Sequence, residues 1–158
     1  MRTMANKLSE KLAAMKIVLP KLAGPFGAYV PVKKVGNLLY VSGQLPMKDG
    51  QMMASGQVPS KCTVEHANAA ARQCVINALG AVETAGGGVD NIVGVVRVGA
   101  FVSSDVGFTQ QPKVANGASE FLIELFGESG KHVRAAVGTN TLPLDAAVEV
   151  EFIFEVRS

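Results

Sequence analysis

An arginine and a glutamate near the end of the chain are residue types that can bind a carboxylate and activate a water molecule together. Arg134 begins a short apolar run at residues 134–137, and Glu149 lies in the alternating run Val148–Val156. The connection at residues 138–145 carries Gly, Asn, Pro and Asp, which favours an antiparallel pair with Arg134 facing Glu149. Guanidinium binds carboxylate through two hydrogen bonds, and a neighbouring glutamate can deprotonate water. The pair predicts a site for a small carboxylate, and a structural ion pair is the simpler alternative.

The other reactive side chains form no second site in the sequence. Cys62 and Cys74 fall in one helical pattern, roughly 18 Å apart along its axis, which is too far for a disulfide. Neither has a CxxC partner or a metal-ligand spacing to a histidine, so we predict two buried thiols and no metal. The glycines at 86–88 end a helical pattern and no lysine follows them, which favours a helix C-cap over a phosphate-binding loop.

Composition and charge narrow the class of protein. The chain has 158 residues, of which 48% are apolar and 18% charged, and this is typical of one soluble domain. Its formal net charge of +2 comes from scattered residues without a basic block, which disfavours nucleic acid as a partner. No apolar run reaches the ~18 residues needed to span a bilayer, and the N-terminus does not read as a signal peptide. We therefore predict a cytoplasmic protein without membrane contact.

The first elements along the chain are a helix and a hairpin. An apolar stripe at helical spacing predicts a helix over residues 9–18. Apolar runs at 29–32 and 38–43 flank the turn signal Gly36-Asn37, which predicts a β-hairpin. Pro31 places the first of these strands at a sheet edge or makes it a strand start.

Two long helices and a strand make up the middle of the chain. Residues 63–84 and 112–126 show helical spacing. The apolar side of the first helix is a stripe of small residues, which predicts close packing on a sheet, and Asn77 is predicted on its polar side. Residues 92–102 are apolar on both faces apart from Arg97, which is typical of a central strand. The order predicts an α+β domain with a mixed sheet and two packed helices. These helices cover one sheet face, so we expect another copy of the chain to bury the other.

The chain resembles the Rid family of reactive intermediate deaminases, also called the YjgF family or L-PSP endoribonucleases. Two separated motifs carry the resemblance: GNLLYVSGQLP at residues 36–46, and RAAVGTNTLPLDAAVEVE at residues 134–151. It covers residues 27–156, and residues 1–26 are similar to the N-terminal helical extension of one family branch, ahead of a core at residues 27–158. The resemblance implies a chorismate-mutase-like fold and a homotrimer. Its sheets would line a central barrel, with the active sites in clefts between subunits.

The resemblance also implies roles for individual residues. Arg134 would bind the substrate carboxylate, Glu149 would position or activate the hydrolytic water, and Tyr29 would close the cleft. The substrate-binding residues it implies are Ser42, Gly43, Asn116 and Ala136. Ala136 replaces a cysteine of the family archetype, which excludes a mechanism through that thiol. From its position in the sequence, His132 shares the face of Arg134 if the strand starts early, so it could tune the site, although a surface histidine is the simpler interpretation.

The activity that the resemblance implies is hydrolysis of enamine and imine intermediates such as 2-aminoacrylate. The products are a 2-keto acid and ammonia, and no metal or cofactor is required. Because of Ala136, a non-catalytic trimer that binds a keto acid or a related carboxylate is the alternative hypothesis. Endoribonuclease activity is less favoured, since the charge is low and no pair of histidines is spaced for acid–base catalysis.

Overall fold

A five-stranded mixed sheet carries two long helices on one of its faces. The structure is a computed structural model, and it describes residues 6–22 and 27–158. The helices are α1 (Leu8–Ala14), α2 (Val64–Ala85) and α3 (Gln111–Phe126). The strands are β1 (Val32–Val35), β2 (Leu38–Gln44), β3 (Met47–Lys48), β4 (Gln51–Met52), β5 (Ile92–Ser103), β6 (Val133–Thr139) and β7 (Val148–Val156). The predicted α+β class with a mixed sheet is confirmed.

Two predicted boundaries near the N-terminus are wrong. The helix predicted over residues 9–18 ends at Ala14, because Lys16 adopts a left-handed φ of 58° that a helix does not continue through. The first hairpin strand, predicted over residues 29–32, begins only at Val32. Pro31 has no N–H to donate to a neighbouring strand, so the ladder starts after it. The hairpin itself is confirmed, with Val35 opposite Leu38 across the predicted turn.

The sheet order β1-β2-β7-β5-β6 follows from two crossover connections that step across the sheet in the same direction. Helix α2 joins β2 to β5, and α3 joins β5 to its parallel neighbour β6. Strand β7 fills the space between β2 and β5, antiparallel to both. Because such crossovers are right-handed, two steps in one direction place both helices on the same face. We call this side the helix face and the opposite side the open face.

The predicted antiparallel pairing of residues 134–137 with β7 is wrong. Strand β6 pairs in parallel with β5, and β5 lies between β6 and β7. The reason is the length and apolarity of β5, which places it where a neighbour on each side satisfies its backbone hydrogen-bonding groups. The more exposed β6 takes the sheet edge.

The core lies between the helix face and the two long helices. Phe152 and Phe154 of β7 are fully buried there, and their rings stack with centroids 5.7 Å apart. The predicted stripe of small residues on α2 is confirmed, and its buried members include Ala67, Ala71 and Ala78. Small side chains allow the helix backbone to approach the sheet closely. This packing fixes both helices against the sheet.

Three predictions for α2 have different outcomes. Asn77 is buried and donates to the carbonyls of Leu45 and Met47, both at 2.9 Å, so its predicted polar-side position is wrong. Cys62 precedes the helix instead of sharing it with Cys74, but both cysteines are buried free thiols as predicted. The C-cap at Gly86 is confirmed, with its N–H donating to the Val82 carbonyl at 2.8 Å.

The open face carries apolar side chains that no described helix covers. Tyr40, Val133 and Val137 are 45%, 67% and 46% exposed on it. An ion pair between Arg97 and Glu151, at 2.9 Å, crosses its middle. Exposed apolar side chains on both sides of one ion pair are typical of a surface that meets another protein.

The N-terminal helix is attached to the domain by a cap that comes from elsewhere in the chain. Asp90 accepts the Ser9 backbone N–H at 2.9 Å and the Ser9 hydroxyl at 2.6 Å. Lys11 donates to the Glu124 carbonyl at the end of α3, at 2.6 Å. The apolar side of α1 joins the core through Leu8 and Leu12. Within residues 6–22 and 27–158, no helix is long and apolar enough to cross a membrane.

Substitution of Asp90 by Ala should release α1. The Ser9 hydrogen bonds lower the pKa of Asp90, so its contribution is present above the ordinary aspartate range and is lost as the pH falls through the folded-state pKa. We expect lower amide protection factors in α1, relative to the intrinsic exchange rate at the same pH, in Asp90→Ala and in the wild type at acid pH. Asp105→Ala is the matched control, because Asp105 accepts the same pair of bonds from Ser60. Equal protection of α1 in both variants would contradict this account.

Candidate functional site

The predicted anchor Arg134 belongs to a group of four polar side chains. Arg134 Nη1 donates to Asn116 Oδ1 at 2.8 Å and to Ser119 Oγ at 3.1 Å. Ser119 Oγ also lies 2.8 Å from His132 Nε2. We call these four residues, Asn116, Ser119, His132 and Arg134, the arginine cluster. It contains two of the predicted site residues, Arg134 and Asn116.

The arginine cluster is assembled by two simple periodicities. Asn116 and Ser119 are three residues apart on α3, so they lie on the same side of the helix one turn apart. His132 immediately precedes β6 and Arg134 is two residues later, so both side chains point to the helix face. The crossover from α3 into β6 brings the two pairs together.

No carboxylate compensates the charge of Arg134 among the residues that the structure describes. The two ion pairs found there are Arg97 with Glu151 and Lys131 with Glu128. The acceptors of Arg134 are a neutral amide and a neutral hydroxyl. Beside it lies an open cavity of about 410 Å³, lined by Ser119, Ile123, Lys131, His132 and Arg134. A guanidinium held in this way suits an anionic ligand.

A second group lies at the other end of the sheet, around Glu149. Strand β2 is irregular between Val41 and Gln44, which places Gly43 against the Glu149 side chain. A Cβ at Gly43 would overlap Glu149 Oε1 and lie 3.0 Å from its Cδ, so only glycine leaves room for the carboxyl group. The Ser42 hydroxyl donates to the Val30 carbonyl at 2.7 Å, which ties this strand to the segment before β1. We call Ser42, Gly43 and Glu149 the glutamate cluster.

The environment of Glu149 disfavours its charged form. Burial raises the pKa of its carboxyl group, and the negative charge of Glu151 on the same face of β7 raises it further. Among the residues that the structure describes, no side chain donates a hydrogen bond to the Glu149 carboxyl group, so nothing of this kind opposes the rise in its pKa. A carboxylate with a raised pKa is a stronger base, and such a group is suited to taking a proton from water.

The two clusters do not meet within one chain, so the predicted contact between Arg134 and Glu149 is wrong. Arg134 is level with Val98 of β5 on the helix face, whereas Glu149 is level with Phe101 on the open face. Two strand spacings and three residues of rise separate their Cα atoms by about 14 Å. The error follows from the strand order, because β5 was not expected between them.

The remaining predicted residues fall beside one cluster or the other. Ala136 follows Arg134 on the same face of β6 and is partly buried against the core. Tyr29 is 59% exposed and lies next to Val30, whose carbonyl accepts the Ser42 hydroxyl. The described part of the chain holds no group of three or more His, Cys, Asp or Glu side chains that could bind a metal ion.

Two residues of the arginine cluster were not predicted as members of a site. His132 was interpreted as a surface histidine, but its ring is half-buried and bonded to Ser119. Ser119 was not singled out, although its three-residue spacing from Asn116 is visible in the sequence. That spacing was the available signal, because a polar residue one helical turn from a site residue shares its face.

Comparisons with known proteins give the chain a family. Residues 9–156 match the family described as "YjgF/chorismate mutase-like, putative endoribonuclease". Protein TCP17 of Trypanosoma cruzi is 39% identical over 155 residues, covering 98% of this chain and 97% of that protein. A 2-iminobutanoate/2-iminopropanoate deaminase of Dermatophagoides farinae is 29% identical over 142 residues, covering 89% of this chain and 95% of that protein.

A solved structure shows the same fold. The crystal structure of a putative endoribonuclease from Shewanella oneidensis MR-1 superposes with a TM-score of 0.89. It is 31% identical, and the match covers 96% of this chain and 100% of that one. The predicted chorismate-mutase-like fold is therefore confirmed. The chain belongs to the YjgF/chorismate mutase-like family.

Proposed function

We propose that this protein hydrolyses small imines that carry a carboxylate, giving a 2-keto acid and ammonia. The observation that carries the proposal is the environment of the Arg134 guanidinium. Two neutral acceptors hold it, and it lies beside an open cavity. Such a group attracts an anion without first having to break an ion pair. The name of the 29% identical deaminase supports the same class of substrate.

The proposed chemistry needs an anchor and a base. Arg134 binds the substrate carboxylate through two parallel N–H···O bonds, which fixes the position of the neighbouring C=N carbon. Glu149 accepts a proton from water as the water oxygen bonds to that carbon. The imine enters with its nitrogen protonated, so this addition gives a neutral carbinolamine. Glu149 returns its proton to the nitrogen, and the C–N bond then breaks as the hydroxyl oxygen forms the C=O bond of the keto acid. Ammonia leaves with the electron pair of the C–N bond, and the hydroxyl proton passes to Glu149 and on to solvent. An enamine such as 2-aminoacrylate enters the same sequence after it tautomerises to the imine.

The position of the two clusters on opposite sheet faces supports a site shared between subunits. An arginine cluster from one copy and a glutamate cluster from the next can face one substrate only across a subunit boundary. The homotrimer implied by the family resemblance provides three such boundaries. The exposed apolar side chains of the open face, Tyr40, Val133 and Val137, would be buried in that assembly.

The site as proposed contains no thiol. Ala136 presents only a methyl group beside Arg134 on the helix face. The fully buried Cys74 lies in the core, where burial raises the pKa of its thiol. Water activated by Glu149 is therefore the proposed nucleophile, and no covalent enzyme intermediate takes part.

The conservative substitution Arg134→Lys should abolish turnover without affecting assembly. An ammonium group keeps the charge but loses the planar fork, so the substrate is misoriented and the rate should fall by about a hundredfold or more. The assay couples a purified serine or threonine dehydratase to this protein and follows keto-acid formation. Arg157→Lys is the control, because Arg157 is exposed near the end of the chain and belongs to neither cluster.

The outcomes of that assay separate two functions. Wild-type turnover in an assembled Arg134→Lys variant would contradict the proposed anchor. If wild-type protein binds a 2-keto acid in calorimetry yet accelerates no imine hydrolysis, the non-catalytic alternative that Ala136 raised replaces the enzyme hypothesis. RNA cleavage that persists in Arg134→Ala would lie outside this site.

The substitution Gly43→Ala should move the Glu149 carboxyl group out of its buried position. The added methyl group overlaps only the flexible end of the Glu149 side chain, so the fold should persist while the carboxylate shifts toward solvent. Titration by ¹³C NMR should then show a lower Glu149 pKa than in the wild type, because burial raises that pKa. Turnover should fall with it. An unchanged Glu149 titration in a folded Gly43→Ala variant would show that Gly43 does not position this group.

A further inference from the structure

A continuous chain of hydrogen bonds leads away from Arg134 into the body of the protein. Arg134 Nη1 lies 3.1 Å from Ser119 Oγ, and Ser119 Oγ lies 2.8 Å from His132 Nε2. The other ring nitrogen, His132 Nδ1, lies 2.6 Å from the Gly130 carbonyl oxygen. The anchor of the proposed site is thus connected through two side chains to a backbone carbonyl.

The chemistry of the end groups, together with a neutral imidazole, fixes the direction of every bond in this chain. The Gly130 carbonyl can only accept, so His132 Nδ1 carries a hydrogen. The guanidinium can only donate, so Ser119 Oγ accepts from Arg134. In the neutral imidazole Nε2 then has a lone pair, and the Ser119 hydroxyl donates to it. One tautomer of His132 satisfies all three contacts.

The middle of the chain is sheltered from water. Ser119 is buried on α3, with 8% of its surface exposed, and the His132 ring is half-buried. The Gly130 carbonyl is held by close backbone packing, since a Cβ at Gly130 would lie 2.5 Å from the Leu122 carbonyl oxygen. Arg134 itself is exposed. The network therefore joins an exposed side chain to a buried serine and a half-buried histidine.

We propose that His132 is a positioning residue, held as the Nδ1–H tautomer, which fixes the Arg134 guanidinium through Ser119. This rests on the proposed role of Arg134 as the carboxylate anchor. A guanidinium held in one orientation loses less freedom when a carboxylate binds, which favours binding. Asn116 holds the same nitrogen from a second direction. The simpler alternative is that His132 and Ser119 only stabilise the turn before β6.

The tautomer can be tested without a substrate. The chain has two histidines, so ¹⁵N NMR of the whole protein gives two sets of ring signals, assigned with His132→Phe. We expect the neutral imidazole of His132 to carry its hydrogen on Nδ1 and none on Nε2. A protonated Nε2 would overturn the proposal, because Ser119 could not then donate to it.

The link to Arg134 is tested by Ser119→Ala. In the wild type, the ¹⁵N-attached hydrogens of the Arg134 guanidinium should be resolved as slowly rotating groups, whereas in Ser119→Ala and His132→Phe they should average. Ser129→Ala is the matched control, because it removes a hydroxyl that donates to the Phe126 carbonyl, at 2.8 Å, away from Arg134. Unchanged Arg134 signals in folded Ser119→Ala would overturn the proposal.

Turnover gives the functional readout. Removing one hydrogen bond to a charged group should raise KM about tenfold or more in Ser119→Ala, with kcat changed far less. An equal loss in kcat and kcat/KM would contradict a positioning role. If the NMR results are as expected while the wild type shows no imine hydrolysis, the proposed function fails and the role of His132 in orienting Arg134 stands.

Discussion

The placement of β5 between β6 and β7 is the constraint on which the rest of the structure depends. This long apolar strand needs a neighbour on each side, and it takes β7 antiparallel and β6 parallel. The same arrangement sends both crossovers in one direction and both helices to one face. It also places Arg134 on the helix face and Glu149 on the open face. A single choice of strand order thus determines the core, the uncovered surface and the separation of the two clusters.

Much of the fold could be predicted because its signals are local. The alternation of β7, the small-residue stripe of α2 and the turn at Gly36-Asn37 each reflect a period or a turn preference within one element. Strand order is not local, and the short connection after β6 favoured a hairpin that the structure does not contain. The end of α1 at Ala14 was also not predicted, because the spacing of apolar residues does not reveal the left-handed φ of Lys16.

For the candidate site, the sequence indicated which residues to consider but not how they are arranged in the fold. Arg134 lies beside Asn116, and Gly43 lies beside Glu149. Their division into two clusters could not be derived from spacing, because a face assignment depends on register with a neighbouring strand. The burial of Asn77 shows the same limit, since its partners are the carbonyls of Leu45 and Met47, which lie 32 and 30 residues away in the sequence.

The central claim is that one site combines Arg134 of one subunit with Glu149 of another, and mixing subunits tests it most directly. Arg134→Lys and Glu149→Gln chains are each expected to be inactive alone. Unfolded together and refolded in equal amounts, they should regain about a quarter of wild-type turnover, because every hybrid trimer contains one boundary with both wild-type side chains. Mixtures that remain as inactive as the separate variants, although hybrids form, would contradict the shared site.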